Sequence, residues 1–294
     1  MLESLDAAIQ RWSGGNPDRA KEAEVIVIRD DDGMGPSWAR NRGLERAKGD
    51  YVFFCDADDT VAPDFITDAI REMEETNDDF CIFGYDNCPD FPAARHVGSQ
   101  QVRDAFLPAY FGYSFDDVRR WNKGGSLRIH KDIGSVWRAV YRRAFLERNQ
   151  IRFDESLMLF EDAAFLSNCA AHAHRASRIT AILYHYRPLP TGFGGTGYYA
   201  KRHWAYKFKM LDYRKRLDQR VNGEIWRYCE ASCVLSALEM LRMWRRVGLT
   251  FAEFRADMKR YLSDEKVRKA LRMFPCSLRH PLVAMGVFCL RALA

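Results

Sequence analysis

The residues able to do chemistry in this chain are a few clustered carboxylates. Asp56, Asp58 and Asp59 follow directly on the apolar run Tyr51-Val52-Phe53-Phe54-Cys55, which has the length and composition of a short buried strand. Acids at the carboxyl end of a core strand lie where open α/β sheets bind ligands. Side chains alternate along an extended chain, so Asp56 and Asp58 point the same way and repel each other unless a cation lies near them. Mg²⁺ and Mn²⁺ suit such oxygen ligands and take one or two of them, leaving the rest of the shell to substrate phosphates. The competing reading is a solvated acidic turn that caps the helix beginning near Pro63. A second acid pair, Glu161-Asp162, stands at the start of a predicted helix, and His185 and Arg187 lie at the end of a predicted strand.

These residues need elements to position them. Apolar spacing predicts a helix over 2–11, a buried strand at Val25–Ile28, a helix from Gly35 to Lys48 and the strand that carries the acids. A helix over Pro63–Glu75 and a strand over Phe80–Tyr85 follow. This β-α-β-α-β order predicts an α/β fold with a mostly parallel sheet covered by helices. Residues 86–130 show no clear pattern and read as an excursion. A helix over Ser135–Asn149 is predicted with Val136, Val140 and Phe145 inward and its arginines outward, then a helix over Ala163–Ala173 and a strand over Arg178–Arg187. Pro188 to Gly197 holds four glycines and two prolines, a loop able to close over a site. From Tyr198 the pattern is helical, which divides the chain into an α/β domain at 1–197 and a helical region at 198–294.

Composition bounds the partners. With 294 residues, 47% apolar and 29% charged, the chain has a sizeable core and an ordinary surface. A net charge of +5 suits an anionic substrate or membrane surface and does not argue for nucleic acid. The eight cysteines form no CxxC pair and read as reduced thiols of a cytoplasmic protein, without a zinc site. The opening Met-Leu-Glu-Ser-Leu-Asp lacks the basic start and apolar run of a signal peptide. No apolar run reaches the roughly 20 residues that span a bilayer. The basic helices and the apolar run Leu282 to Phe288 suit either a peripheral contact with an anionic inner leaflet or a terminal helix docked on the domain.

Two chemistries use a buried strand ending in Asp-x-Asp. Asp56-Ala57-Asp58-Asp59-Thr60-Val61 satisfies the nucleophile motif of haloacid-dehalogenase-type phosphohydrolases, with Asp56 attacking phosphorus and Asp58 as acid/base. That reading needs a lysine at a later strand end, and none is evident. The run Gly35-x-Ser37-x-Ala39-Arg40-Asn41-x-Gly43-Leu44, then Gly49-Asp50-Tyr51, Asp56-x-Asp58-Asp59 and Pro63-Asp64-Phe65, resembles family 2 glycosyltransferases of the GT-A fold. Trp137, Tyr141-Arg142-Arg143, Phe145, Phe153-Asp154-Glu155, Glu161-Asp162 and Phe165 resemble the acceptor-side half of bacterial polysaccharide and cell-envelope members, and Tyr184-His185-Tyr186-Arg187 fits their continuation.

The resemblance implies an inverting transfer of sugar from a nucleotide-diphosphate donor, a UDP-sugar above all, to a hydroxyl of a glycan or lipid-linked acceptor. It implies Asp58 as the main ligand to Mn²⁺ or Mg²⁺, Asp56 on the ribose or the metal's waters, and Asp59 beside them. Asp162 takes the place of the general base with Glu161 next to it, kept ionised by the helix dipole. Arg40 either holds the diphosphate or anchors the acids below it, and Arg187 and His185 are weaker candidates for diphosphate and metal. The usual first strand ending in Pro-x-Tyr-Asn is not found. Either Asp31-Asp32-Gly33 is the family's Asp-Asp-Gly element, which would put Asp32 in the nucleotide site, or Val25–Ile28 is the strand after it. A sheet lacking one element leaves room for a degenerate transferase that serves as a binding or scaffold subunit.

Overall fold

The computed structural model describes residues 1–86, 92–127, 134–187 and 196–293, with backbone alone for 196–203. Contacts divide the chain into two compact units, Met1–Phe106 with Asp132–Pro190, and Leu107–Lys131 with Thr191–Ala294. In chain order the elements are α1 (Leu2–Ser13), α2 (Pro17–Ala20), α3 (Pro36–Arg46), β1 (Tyr51–Phe53), β2 (Thr60–Val61), α4 (Phe65–Thr76), β3 (Phe80–Tyr85), β4 (Ala94–Val97) and α5 (Ser99–Tyr110). Then follow α6 (Phe115–Asn122), β5 (Ala139–Arg142), α7 (Arg143–Arg148), α8 (Glu161–His172), β6 (Arg175–His185), α9 (Thr196–Arg220), α10 (Glu230–Met243), α11 (Phe251–Leu262), α12 (Glu265–Met273) and α13 (Pro281–Leu293).

The first unit is α/β. Its strands lie in the order β1-β5-β3-β6-β2, with β4 also on β6. β3 and β6 pair in parallel, whereas β5 is antiparallel to both β1 and β3, and β2 and β4 are antiparallel to β6. The strands β1, β3 and β6 therefore share one direction, as the β-α-β reading requires, and the sheet is mixed because β5 is threaded between β1 and β3.

That strand is where sequence and structure part. Instead of one helix over 135–149, the chain makes a single 3₁₀ turn at Val136–Arg138, the strand β5 and the short helix α7. Ala139, Val140 and Tyr141 are fully buried because β5 has neighbours on both edges, so apolar spacing could not separate strand from helix there. Nor do all the arginines face outward. Arg138 is wholly buried, donates from Nη2 to Phe83 O at 3.3 Å, and lies 5.1 Å over the Tyr85 ring.

Val25–Ile28 forms no ladder. Val25 and Val27 are exposed and Ile26 and Ile28 half-buried, the alternation of an extended chain without a sheet partner. Under the sheet, Phe54 meets Tyr141, Phe153 and Phe165 edge-on, and Phe153 stacks on Phe165 at 4.1 Å. The ring cluster thus ties the acid-bearing strand to the segment before α8.

The second unit is helical. Its core gathers Phe115 and Val118 of α6 with Leu211, Val234, Ala237, Met240, Phe254, Tyr261, Leu271 and Leu290. The described part of the 86–130 excursion is thus β4, α5 and α6, with residues 107–131 grouped in the helical unit. The expected closing loop at Pro188–Gly197 lies outside the described residues except for the first turn of α9. Among the described residues no helix is long and apolar enough to cross a membrane.

Candidate active site

One face of α3 organises the site. Ser37, Arg40 and Asn41 are spaced i, i+3, i+4 and so project together. Asn41 Nδ2 donates to Phe153 O at 3.0 Å and Glu155 Oε1 at 2.9 Å, and its Oδ1 accepts the Phe153 amide at 2.9 Å. Ser37 Oγ donates to Leu157 O at 3.2 Å. These bonds lay residues 153–157 along α3, so that the following turn delivers Glu161 and Asp162. The start of α3 is set by Gly35, whose φ of +96° favours glycine, and by Asp30, which accepts the Met34 and Gly35 amides at 2.7 and 2.6 Å.

Between Ser37 and Asn41 sits Arg40, the hub. Its Nη1 donates to Asp162 Oδ1 at 2.5 Å and lies 3.7 Å from Glu161, while Nη2 donates to Asp56 Oδ1 at 3.1 Å. The guanidinium stands 5.5 Å over the Phe153 ring. Arg40 thereby joins the acid at the end of the β1 segment to the acids in the first turn of α8.

Asp162 is only 17% exposed, and its second oxygen accepts the Val136 amide at 3.3 Å. Burial pushes its carboxyl up to about 6, against the pull of Arg40 and with Glu161 and Asp56 adding repulsion. The carboxyl is raised although it stands in the first turn of α8, where the helix dipole favours the ionised form. The turn before it is tight. Phe160, exposed and non-glycine, adopts φ +58° to bring the pair round.

The three acids after β1 have separate environments. Asp59 is almost fully buried. It accepts the Tyr184 hydroxyl at 2.8 Å on one oxygen and the Arg187 amide at 2.8 Å on the other, and burial raises its carboxyl. The Tyr184 hydroxyl in turn accepts the Asp56 amide at 3.0 Å, and Trp137 stacks on its ring at 4.4 Å. Asp59 and Tyr184 thus pin the turn to β6. Asp56 is half-open and engaged by Arg40. Asp58 is exposed and takes no hydrogen bond or ion pair among the described residues.

His185, opposite Thr60 in the β2–β6 register, has Nδ1 2.8 Å from Asp86 Oδ2. This contact fixes the ring and leaves Nε2 available. Arg187 engages the site through its backbone amide, with its side chain exposed. Asp32 stands exposed in the turn before α3 and has no bond to the cluster; its neighbour Asp30 shapes that turn. The described residues hold no group of three or more His, Cys, Asp or Glu able to cage a metal ion.

Sequence reasoning assigned no role to Asp86 or to the Tyr184 hydroxyl. Asp86 follows directly on β3 and so carries the same strand-then-acid signal as Asp56. The Tyr184 bridge spans 128 residues to Asp56 and had no local signal.

The sequence model described as "Glycosyl transferase family 2" matches residues 11–148. Among curated relatives, the uncharacterized glycosyltransferase EpsJ of Bacillus subtilis is 27% identical over 196 residues, 63% of this chain and 54% of its own. The succinoglycan biosynthesis protein ExoO of Rhizobium meliloti is 26% identical over 172 residues, 56% of this chain and 46% of its own. This chain spans about half the length of these relatives. Among solved structures, residues 1–349 of Staphylococcus aureus TarS align over 88% of this chain and 69% of that one, at 17% identity and a TM-score of 0.49. Over residues 11–148, a little under half of its length, this chain is thus similar to the family 2 glycosyltransferases.

Proposed function

We propose that the chain is a metal-dependent inverting glycosyltransferase that moves a sugar from a nucleoside-diphosphate donor, UDP-sugar first among them, to a hydroxyl of a cell-envelope glycan or lipid-linked precursor. The observation that carries this reading is the Arg40 bridge, which brings Asp56 at the end of a core strand together with Asp162 at the start of α8. Donor chemistry and acceptor chemistry must meet at one point, and these residues come from the two blocks that would supply them.

In the reaction, deprotonated Asp162 accepts the proton of the acceptor hydroxyl. The hydroxyl oxygen forms its bond to the anomeric carbon as the bond to the diphosphate breaks on the opposite face. A carboxyl lifted to about 6 is a stronger base than a solvated one and is still mostly ionised at neutral pH. Arg40 holds that carboxylate in one orientation. Tyr184 and Asp59 keep the turn rigid, so Asp58 is presented to solvent at a fixed place. A Mn²⁺ or Mg²⁺ ion would be held on the protein side by Asp58, whose exposed carboxylate takes no bond among the described residues, and otherwise by the donor's phosphates and water. When bound, such an ion neutralises charge on the leaving diphosphate. A cytoplasmic site of action at the inner membrane face suits a lipid-linked acceptor.

The test is nucleotide release from a panel of UDP-sugars with a hydroxyl acceptor. Release with wild type and its loss in Asp162→Asn support the reading. Release of inorganic phosphate from phosphomonoesters, dependent on Asp56, would replace it with the phosphohydrolase.

A further inference from the structure

We infer that α13 and the connection leading into it form a docking surface for an anionic phospholipid bilayer. Helix α13 is apolar on two opposite sides. Val287 and Leu290 are fully buried in the helical core. At 100° per residue, Leu282, Met285, Phe288 and Cys289 fall on the opposite side, and all four are exposed, Leu282 by 77% and Phe288 by 73%. Leu278, just before the helix, is 93% exposed. Scattered surface leucines need no explanation, but a continuous stripe of large apolar side chains on one helix marks an interaction surface.

The charge of the segment that bears this stripe says what covers it. From Lys266 to Leu293 the chain has six Lys and Arg residues and no Asp or Glu. Arg268, Lys269 and Arg272 are exposed on α12, and Arg279 is exposed beside Leu278. Arg291 is used internally: it donates to Leu271 O, Arg272 O and Phe274 O at 3.0, 3.1 and 3.4 Å and so clamps α13 to the end of α12. The stripe is therefore presented by a helix fixed in place. A second copy packed symmetrically on this face would bring the same cations together with no acid in the segment to pair them. A bilayer with anionic headgroups accepts both features, the apolar side chains at the acyl boundary and the cations among the phosphates.

Docking needs neither donor nor acceptor, so its test is separate from that of sugar transfer. The full 294-residue chain is floated with vesicles of phosphatidylcholine containing phosphatidylglycerol, and with phosphatidylcholine alone. The expected result is co-flotation with the anionic vesicles that weakens at high salt. Leu282→Glu with Phe288→Glu should abolish it while far-ultraviolet circular dichroism and thermal midpoint are retained. Arg268→Gln, Lys269→Gln and Arg272→Gln together should weaken it by about fivefold per neutralised cation. Three results would each overturn the inference: no flotation of folded protein at low salt, flotation unchanged in the Glu double variant, or no vesicle binding alongside a dimer that Phe288→Glu dissociates in light scattering.

Discussion

Arg40 and Asp162 carry the sharpest consequences at the scale of single residues. With its carboxyl near 6, Asp162 is ionised above that pH and protonated below it, so a rate that needs the base should fall as pH drops through about 6. Arg40 opposes the raised value, so Arg40→Gln should move the acid limb of the pH–rate profile to higher pH. The same change leaves a mostly buried carboxylate unpaired and should cost roughly 3 kcal/mol of stability, read by urea denaturation. Asp162→Asn should reduce turnover by about 10²–10⁴-fold with donor affinity little changed. Tyr184→Phe removes the donor to Asp59 and the acceptor for the Asp56 amide. It should destabilise the fold by about 1–3 kcal/mol and weaken nucleotide binding, since the turn that presents Asp58 loses its tie to β6.

At the scale of elements, Asn41 is the latch between the two halves of the site. Asn41→Ala strips a reciprocal pair from the buried Phe153 backbone, at about 1–3 kcal/mol. It should lower turnover more than nucleotide affinity, because the segment it releases carries Glu161 and Asp162, whereas Asp58 is held from β6. Differential scanning calorimetry with steady-state kinetics checks both. The elements also show what could be read in advance. α1 and α4 were legible from their periodic apolar faces, α3 from its Pro36 start and the Gly49 stop, and β3 from an apolar run bounded by Asp78-Asp79 and Asp86. β5 was not, since its buried run Ala139-Val140-Tyr141 is three residues long and has arginines rather than turn residues on either side. Val25–Ile28 has the composition of a strand, but composition cannot supply the neighbour that a ladder needs. The acids were legible as types at strand and helix ends. Their division of labour was not, because it depends on Arg40, Tyr184 and Arg187 arriving from distant parts of the chain.

For the whole molecule, the α/β unit carries the proposed transfer site and the helical unit carries the proposed apolar and basic docking face. In the proposed reaction Asp58 binds the donor together with its metal ion, while Asp162 acts on the acceptor. Calorimetric titration of the 294-residue chain with UDP, with and without Mn²⁺, tests it most directly when Asp58→Ala and Asp162→Asn are run beside wild type. The expected result is Mn²⁺-dependent binding that is lost in Asp58→Ala and kept in Asp162→Asn. Absence of UDP binding by the folded wild-type chain, or binding indifferent to Asp58, would contradict it and favour a scaffold subunit built on a transferase fold.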